Sequence, residues 1–139
     1  MKKDNKGFSL VELIVVVLIM AILAVALTPQ VMKWVNNSRV SADVQTQNSI
    51  VASIQIALTN SSALTDAETI KHTITVNKNS ATTISPDGAF KNELVKNLDQ
   101  PLDQIHAKST NSFTIEVEKD ATSGTVKVKT TTFDTSYSD

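Results

Sequence analysis

From Phe8 to Leu27 the chain reads FSLVELIVVVLIMAILAVAL, twenty residues in which only Ser9 and Glu12 are polar. Apolar side chains fall on every side of a 3.6-residue period, the pattern of a helix surrounded by apolar matter rather than laid on a core. At 1.5 Å per residue such a helix is ~30 Å long, about one hydrocarbon core. Lys2, Lys3 and Lys6 precede it, and this basic flank predicts a single span with a cytoplasmic N-terminus and an exported remainder. After Pro29 the pattern becomes one-sided. Val40, Val44, Val51, Ile54 and Leu58 recur at helical spacing with Gln47 in register, while Ser41, Asp43, Gln45, Asn48, Ser49 and Gln55 are assigned to the opposite face. The spacing predicts one helix from about Phe8 to Asn60, its second half laid on a small domain and ended by the Asn60-Ser61-Ser62 cluster. Lys33 and Trp34 stand where an interface anchor belongs.

Further along, the period shortens. Asp66 to Lys71 reads as a helical turn, and His72–Val76 and Ala81–Ile84 as short strands about an Asn77-Lys78-Asn79 turn. Ser85 as cap and Pro86 at the first position, followed by Phe90, Leu94 and Leu98 at every fourth residue, predict a helix over 86–98 ended by Gln100-Pro101. Phe113, Ile115 and Val117 alternate with polar residues, as do Val126 and Val128, and the loop from Lys119 to Gly124 joins the two runs as a hairpin. Glu116 and Glu118 on one strand can face Lys127 and Lys129 on the other, each pair favouring antiparallel pairing by roughly 0.2–1 kcal/mol. The tail from Phe133 to Asp139 reads as frayed. The fold class is α+β: a long N-terminal helix, membrane-spanning in its first half and amphipathic in its second, on a small antiparallel sheet.

Composition narrows the chemistry. The 139 residues are one domain's worth of chain and contain no Cys, which excludes disulfides, thiolate metal sites and cysteine nucleophiles. Gly7, Gly88 and Gly124 are the only glycines and stand far apart, so no phosphate-cradling loop is formed. Aromatics at 4 % and a net charge of -1 offer neither stacking platforms nor a basic footprint for nucleic acid. His72 and His106 are isolated and read as surface or edge residues. Asp87, Asp99, Asp103, Asp134 and Asp139 supply hard oxygen atoms, without a legible calcium loop. Neither an enzyme nor a cofactor or metal site is expected.

The apolar segment admits three readings. As a secretory signal it would be cut near Ala24-Val25-Ala26; as a plain anchor it would stay whole; as a third type it would be cut before the apolar run. Only the last gives Glu12 a purpose, since a carboxylate near mid-membrane costs roughly 2.5–3.5 kcal/mol. Cleavage between Gly7 and Phe8 would put Glu12 in the first turn of the helix, where negative charge suits the dipole and can meet a cationic α-amine. Glu12 as a mere cap, and Pro29 as a mere helix end, remain the plain alternatives.

Lys6-Gly7-Phe8-Ser9-Leu10-Val11-Glu12-Leu13 with the long apolar run resembles the class III signal of type IV pilins and type II secretion pseudopilins. Pro29 is similar in position to a helix-kinking proline often found in that family. The resemblance covers about residues 1–40. It implies a cleaved leader over 1–7, a transmembrane or filament-core helix over 8–29, and an exported domain over 30–139. It also implies that a prepilin peptidase cuts after Gly7 and N-methylates Phe8, and that Glu12 pairs with the amine of an adjacent subunit. The implied partners are further copies in a helical filament, the peptidase, an inner-membrane assembly platform and, before assembly, membrane lipid. The implied location is the cell membrane first and a surface pilus afterwards. A minor tip subunit, acting as an adhesin or a DNA-capturing module, is the alternative function. Loss of the leader would take the formal charge from -1 to -3, because three Lys and one Asp leave with it, which disfavours non-specific DNA capture.

Overall fold

The computed structural model describes residues 7–109, 112–131 and 133. Its elements are α1 (Leu10–Ala57), α2 (Ser61–Thr69), β1 (His72–Asn77), β2 (Thr83–Ser85), α3 (Ala89–Asn97), β3 (Ser112–Lys119) and β4 (Val126–Thr130). Internal contacts divide the chain into two units, Met1–Asn36 and Asn37–Asp139, with α1 contributing to both.

In the first unit α1 is long and apolar enough to cross a membrane, and its apolar window has no part buried inside the molecule. The helix runs through Pro29. Proline has no N–H to give the Val25 carbonyl, and one residue earlier the Thr28 hydroxyl donates to the Ala24 carbonyl at 2.7 Å.

The second unit is an α+β structure in which the rest of α1 packs on a four-stranded antiparallel sheet of order β2-β1-β3-β4. The pairs Ile74↔Ile115 and Val76↔Phe113 join β1 to β3, and all four side chains are buried. With Ile84 of β2 they meet Ile50, Ile54 and Ala57 of α1, Ala63 and Ala67 of α2, and Phe90 and Leu94 of α3 in one core. The alternation predicted for residues 113–117 is thus the inner face of β3.

Several local expectations are corrected. The buried stripe of α1 is Asp43, Gln47, Ile50, Ser53, Ile54 and Ala57, rotated from the predicted one. Val51 and Leu58 flank it, half-buried. Asp43, assigned to the polar face, is fully buried because its carboxylate is an acceptor: it takes the Lys108 N–H at 2.6 Å, the Ser109 N–H at 2.8 Å and the Ser109 hydroxyl. That bond set fastens the irregular segment after α3 to the helix. Thr82 fastens it again, its hydroxyl donating to the Ile105 carbonyl at 2.7 Å and its N–H to Leu102 at 2.9 Å.

α1 ends at Ala57, ahead of the Asn60-Ser61-Ser62 cluster, which instead opens α2: Asn60 accepts the Ser62 N–H at 3.0 Å. The turn expected at 66–71 is therefore the end of a nine-residue helix. Ser85 does not cap α3. It pairs with Thr73 as the last residue of β2, and the helix starts at Ala89. The first turn of α3 is capped from a distance: Asp66 of α2 accepts the Phe90 N–H at 2.9 Å. Gly88 is required by that approach, because a Cβ there would collide with the Asp66 carboxylate.

His72, expected at the surface, is fully buried. Strand parity places it with Ile74 and Val76 on the inner face. Its ring lies 4.6 Å from that of Phe90, and Nε2 is 3.5 Å from Asp66 Oδ2. Phe133, expected to fray, packs edge-on against Phe113 with centroids 5.2 Å apart, behind a Thr131 N–H to Thr114 carbonyl bond of 3.1 Å. The rest of the predicted tail, 134–139, lies outside the described residues.

The hairpin β3–β4 sets Glu116 opposite Lys129 and Glu118 opposite Lys127. The ion pairs run diagonally instead: Lys129 with Glu118, and Lys127 with Asp120 of the loop. Lys71, from before β1, bonds Glu116 at 2.8 Å. Asp120 also accepts the Thr122 and Ser123 N–H groups. Its bond from Lys127, and then these two, hold its carboxyl below the usual range. The Lys129 bond lowers Glu118 and, reciprocally, Glu118 raises Lys129. Gly124, at φ +70, closes the loop in a conformation that side chains disfavour.

Candidate functional site at the N-terminus

Gly7, Phe8 and Ser9 precede the first residue of α1 and have no regular structure. Phe8 is 86 % exposed, and a Cβ on Gly7 would meet nothing within 4 Å. The scissile bond expected here is thus an accessible approach to a helix, and neither residue is held by packing.

Ser9 is the residue at which the helix starts, since its carbonyl accepts the Leu13 N–H at 3.2 Å. Its hydroxyl accepts the Glu12 N–H at 3.2 Å, and the Glu12 Oε2 accepts the Ser9 N–H at 2.8 Å. This reciprocal pair is a capping box, Ser-x-x-Glu, which satisfies two of the N–H groups that a helix start leaves unpaired. The Ser9-Leu10-Val11-Glu12 spacing carries that signal in the sequence, and the role of Ser9 was missed there. Glu12 lies in the first turn of α1, where its charge suits the positive end of the helix. Only Oε2 is engaged by Ser9, and an ionised carboxylate has acceptor sites on both oxygens. The cap and a second, cationic partner are therefore compatible. Around Glu12 the side chains Leu10, Val11, Leu13 and Ile14 are all exposed, so a carboxylate stands on an otherwise uncovered apolar surface.

A model described as the prokaryotic N-terminal methylation motif matches residues 2–28. The chain carries the class III signal of type IV pilins and pseudopilins. No curated protein and no solved structure matches it. The matched segment contains Gly7, Phe8, Ser9 and Glu12 and ends just before Pro29. The motif is a structural, pilin-type signal and not that of an enzyme family. Together with the uncovered apolar helix it is consistent with membrane anchoring.

The other residues singled out for chemistry are not brought together. Among the described residues, no three His, Asp or Glu side chains are grouped to hold a metal ion. Asp87, ahead of α3, pairs with Lys91 in its first turn. Asp99 lines a cleft with Ser49, Ser53 and Lys108. Asp134 and Asp139 lie outside the described residues. His106 meets the Ser80 carbonyl through Nδ1 at 3.1 Å, apart from the His72–Asp66 pair.

Proposed function

We propose that this chain is a structural subunit of a type IV pilus or a related pseudopilus. A prepilin peptidase removes residues 1–7, cutting after Gly7, and N-methylates Phe8. The processed subunit waits in the membrane through α1, assembles with further copies on an inner-membrane platform, and ends on the cell surface with its sheet domain outward. Pro29 supplies a point where the helix can bend as subunits pack.

The observation that carries this reading is the conjunction at residues 7–12. An accessible Gly7–Phe8 bond precedes a helix whose only first-turn charge, Glu12, has one oxygen on Ser9 and stands on uncovered apolar surface. Assembly exchanges lipid around such a helix for neighbouring helices. It also supplies Glu12 with the α-amine of an adjacent Phe8, which methylation leaves cationic. Buried alone, either charge would cost several kcal/mol.

Intact mass of the mature protein tests the processing half. A chain beginning with N-methylated Phe8 is expected; an N-terminus after Ala26 overturns it. Immunogold labelling along sheared filaments tests the structural half, and label confined to tips would instead identify a minor tip subunit.

A further inference from the structure

Exposed apolar surface on α1 continues beyond the all-round apolar run that ends at Leu27. Val31, Met32, Trp34 and Val35 are 53, 68, 75 and 40 % exposed. Leu27, Val31, Trp34 and Val35 recur at i, i+4, i+7 and i+8, which makes one stripe along a helix. Thr28 falls within the same arc, but its hydroxyl is turned onto the Ala24 carbonyl. Lys33 and Asn36 fall on the opposite side. Met32 lies off this stripe, toward Asn36, so the outer part of this segment is apolar mainly on one side, unlike the run before it.

Length decides what such a stripe can meet. From Leu10 to Val35 the helix measures about 39 Å at 1.5 Å per residue. A hydrocarbon core is about 30 Å thick and a whole bilayer about 40–45 Å with its headgroup layers. The exposed apolar helix is thus longer than the core by about one whole headgroup layer. The end that carries the excess is the end with a one-sided stripe and a tryptophan, the residue whose ring is apolar in body and polar at its N–H and which collects at membrane–water boundaries.

We infer that the Leu27–Val31–Trp34–Val35 stripe seats in the outer headgroup layer of the bilayer, with a lipid surface as its partner before assembly, and that it sets the depth of the helix. The inference rests on the reading of α1 as a membrane span. It has a consequence at the other end. Glu12 lies about 33 Å along the helix from Trp34, so this seating brings the Ser9–Glu12 capping box to the inner boundary of the hydrocarbon, where a carboxylate is far less costly than at the centre.

Trp34 is the sole tryptophan, so the full chain in lipid vesicles reports its own depth by fluorescence. The vesicles carry bromine atoms either high on the acyl chains or near the bilayer centre. The expected result is blue-shifted emission, quenched more by the high bromines than by the deep ones. Water-like emission without quenching, strongest quenching by the deep bromines, or blue emission that no lipid bromine quenches, as a second copy on the stripe would give, each overturns the proposal. Val31→Asp on the stripe should shift the emission to the red, and Asn36→Asp on the opposite side should not; equal shifts would remove the one-sided seating. A second reporter separates this proposal from the span it rests on. In a Trp34→Phe background, Ile19→Trp should be quenched most by the deep bromines. If it is not, the span itself fails; if it is, and Trp34 is not quenched from above, only the seating fails.

Discussion

Under the proposed function Glu12 has two roles, a cap and an assembly charge, which a single substitution confounds, and the capping box shows how to separate them. Glu12→Leu removes both the acceptor for the Ser9 N–H, now at 2.8 Å, and the negative charge. Glu12→Gln keeps an acceptor, because Gln serves in a capping box as Glu does, and removes only the charge. Ser9→Ala does the reverse, taking away the acceptor of the Glu12 N–H at 3.2 Å and leaving the charge. Loss of a capping interaction costs about 1 kcal/mol, a local effect on the first turn. Leaving a neighbour's amine without its counter-charge in an apolar core costs roughly 3–5 kcal/mol, a hundredfold or more in an equilibrium at about 1.4 kcal/mol per decade. All three variants should be inserted and processed at near-normal levels. Glu12→Leu and Glu12→Gln should both fall by about a hundredfold in the ratio of sheared filament to processed membrane subunit. Ser9→Ala should fall by only a few-fold, and Glu12→Asp should keep partial activity because it keeps the charge with a shorter reach. If Glu12→Gln assembles as the parent does, the charge has no part in assembly and Glu12 is a cap.

Substituting Gly7 by Val should leave the fold intact, since a Cβ there meets nothing, yet leave unprocessed precursor in the membrane, visible as a heavier band. A fragment from Asn37, where the second unit begins, should fold in solution, and a cooperative denaturant transition checks it. Within that fragment Asp43→Ala should cost about 2 kcal/mol, because it removes the buried carboxylate that accepts the part-buried Lys108 and Ser109 N–H groups. Gly88→Ala should cost roughly 1–3 kcal/mol by displacing Asp66 from the Phe90 N–H; equal midpoints for variant and parent would refute it. Asp120 and Glu118 have folded pKa values held below their ordinary ones. Their contribution to the β3–β4 hairpin is therefore complete above the ordinary carboxylate range and is lost as pH falls through the lowered values. Amide exchange in the 119–126 loop should be unchanged from neutral pH to the ordinary carboxylate range, once the intrinsic pH dependence is removed, and should lose protection below it.

The N-terminal signal was legible because it is local. A basic leader, Gly7-Phe8, Glu12 and a twenty-residue apolar run need no distant partner to be recognised. The alternating runs about Ile115 and Val128 were legible for the same reason. What failed were positions whose environment is decided by a distant residue. Asp43 reads as solvent-facing until the Lys108 and Ser109 N–H groups arrive from sixty-five and sixty-six residues away. Ser85-Pro86 reads as a helix start because nothing local says that Ser85 pairs with Thr73, or that Asp66 caps α3 from another helix. His72 shows the opposite case: its strand parity with Ile74 and Val76 is local and places it inside, although its polarity alone suggests the surface.

The acidic residues also bear on the proposal that Glu12 is more than another cap. Asp43, Asp66, Asp120 and Glu12 all accept backbone N–H groups that secondary structure leaves unpaired. Asp43 engages both of its oxygens within the unit. The same Asp66 oxygen that caps α3 faces His72, and Asp120 has Lys127 beside it. Glu12 differs: among the described residues only one of its oxygens is bonded, and exposed apolar side chains stand about it. A cap alone does not call for ionisation, since Gln or Asn accepts an N–H as well. A carboxylate kept on an apolar helix that is itself uncovered points to a partner that arrives later and carries positive charge. The nearest such group in the processed chain is the amine at Phe8, and a second copy of the chain presents it at the same depth only when the two helices lie side by side. Under the proposed function, the residue that caps the helix in one molecule would also be the one that aligns it with the next.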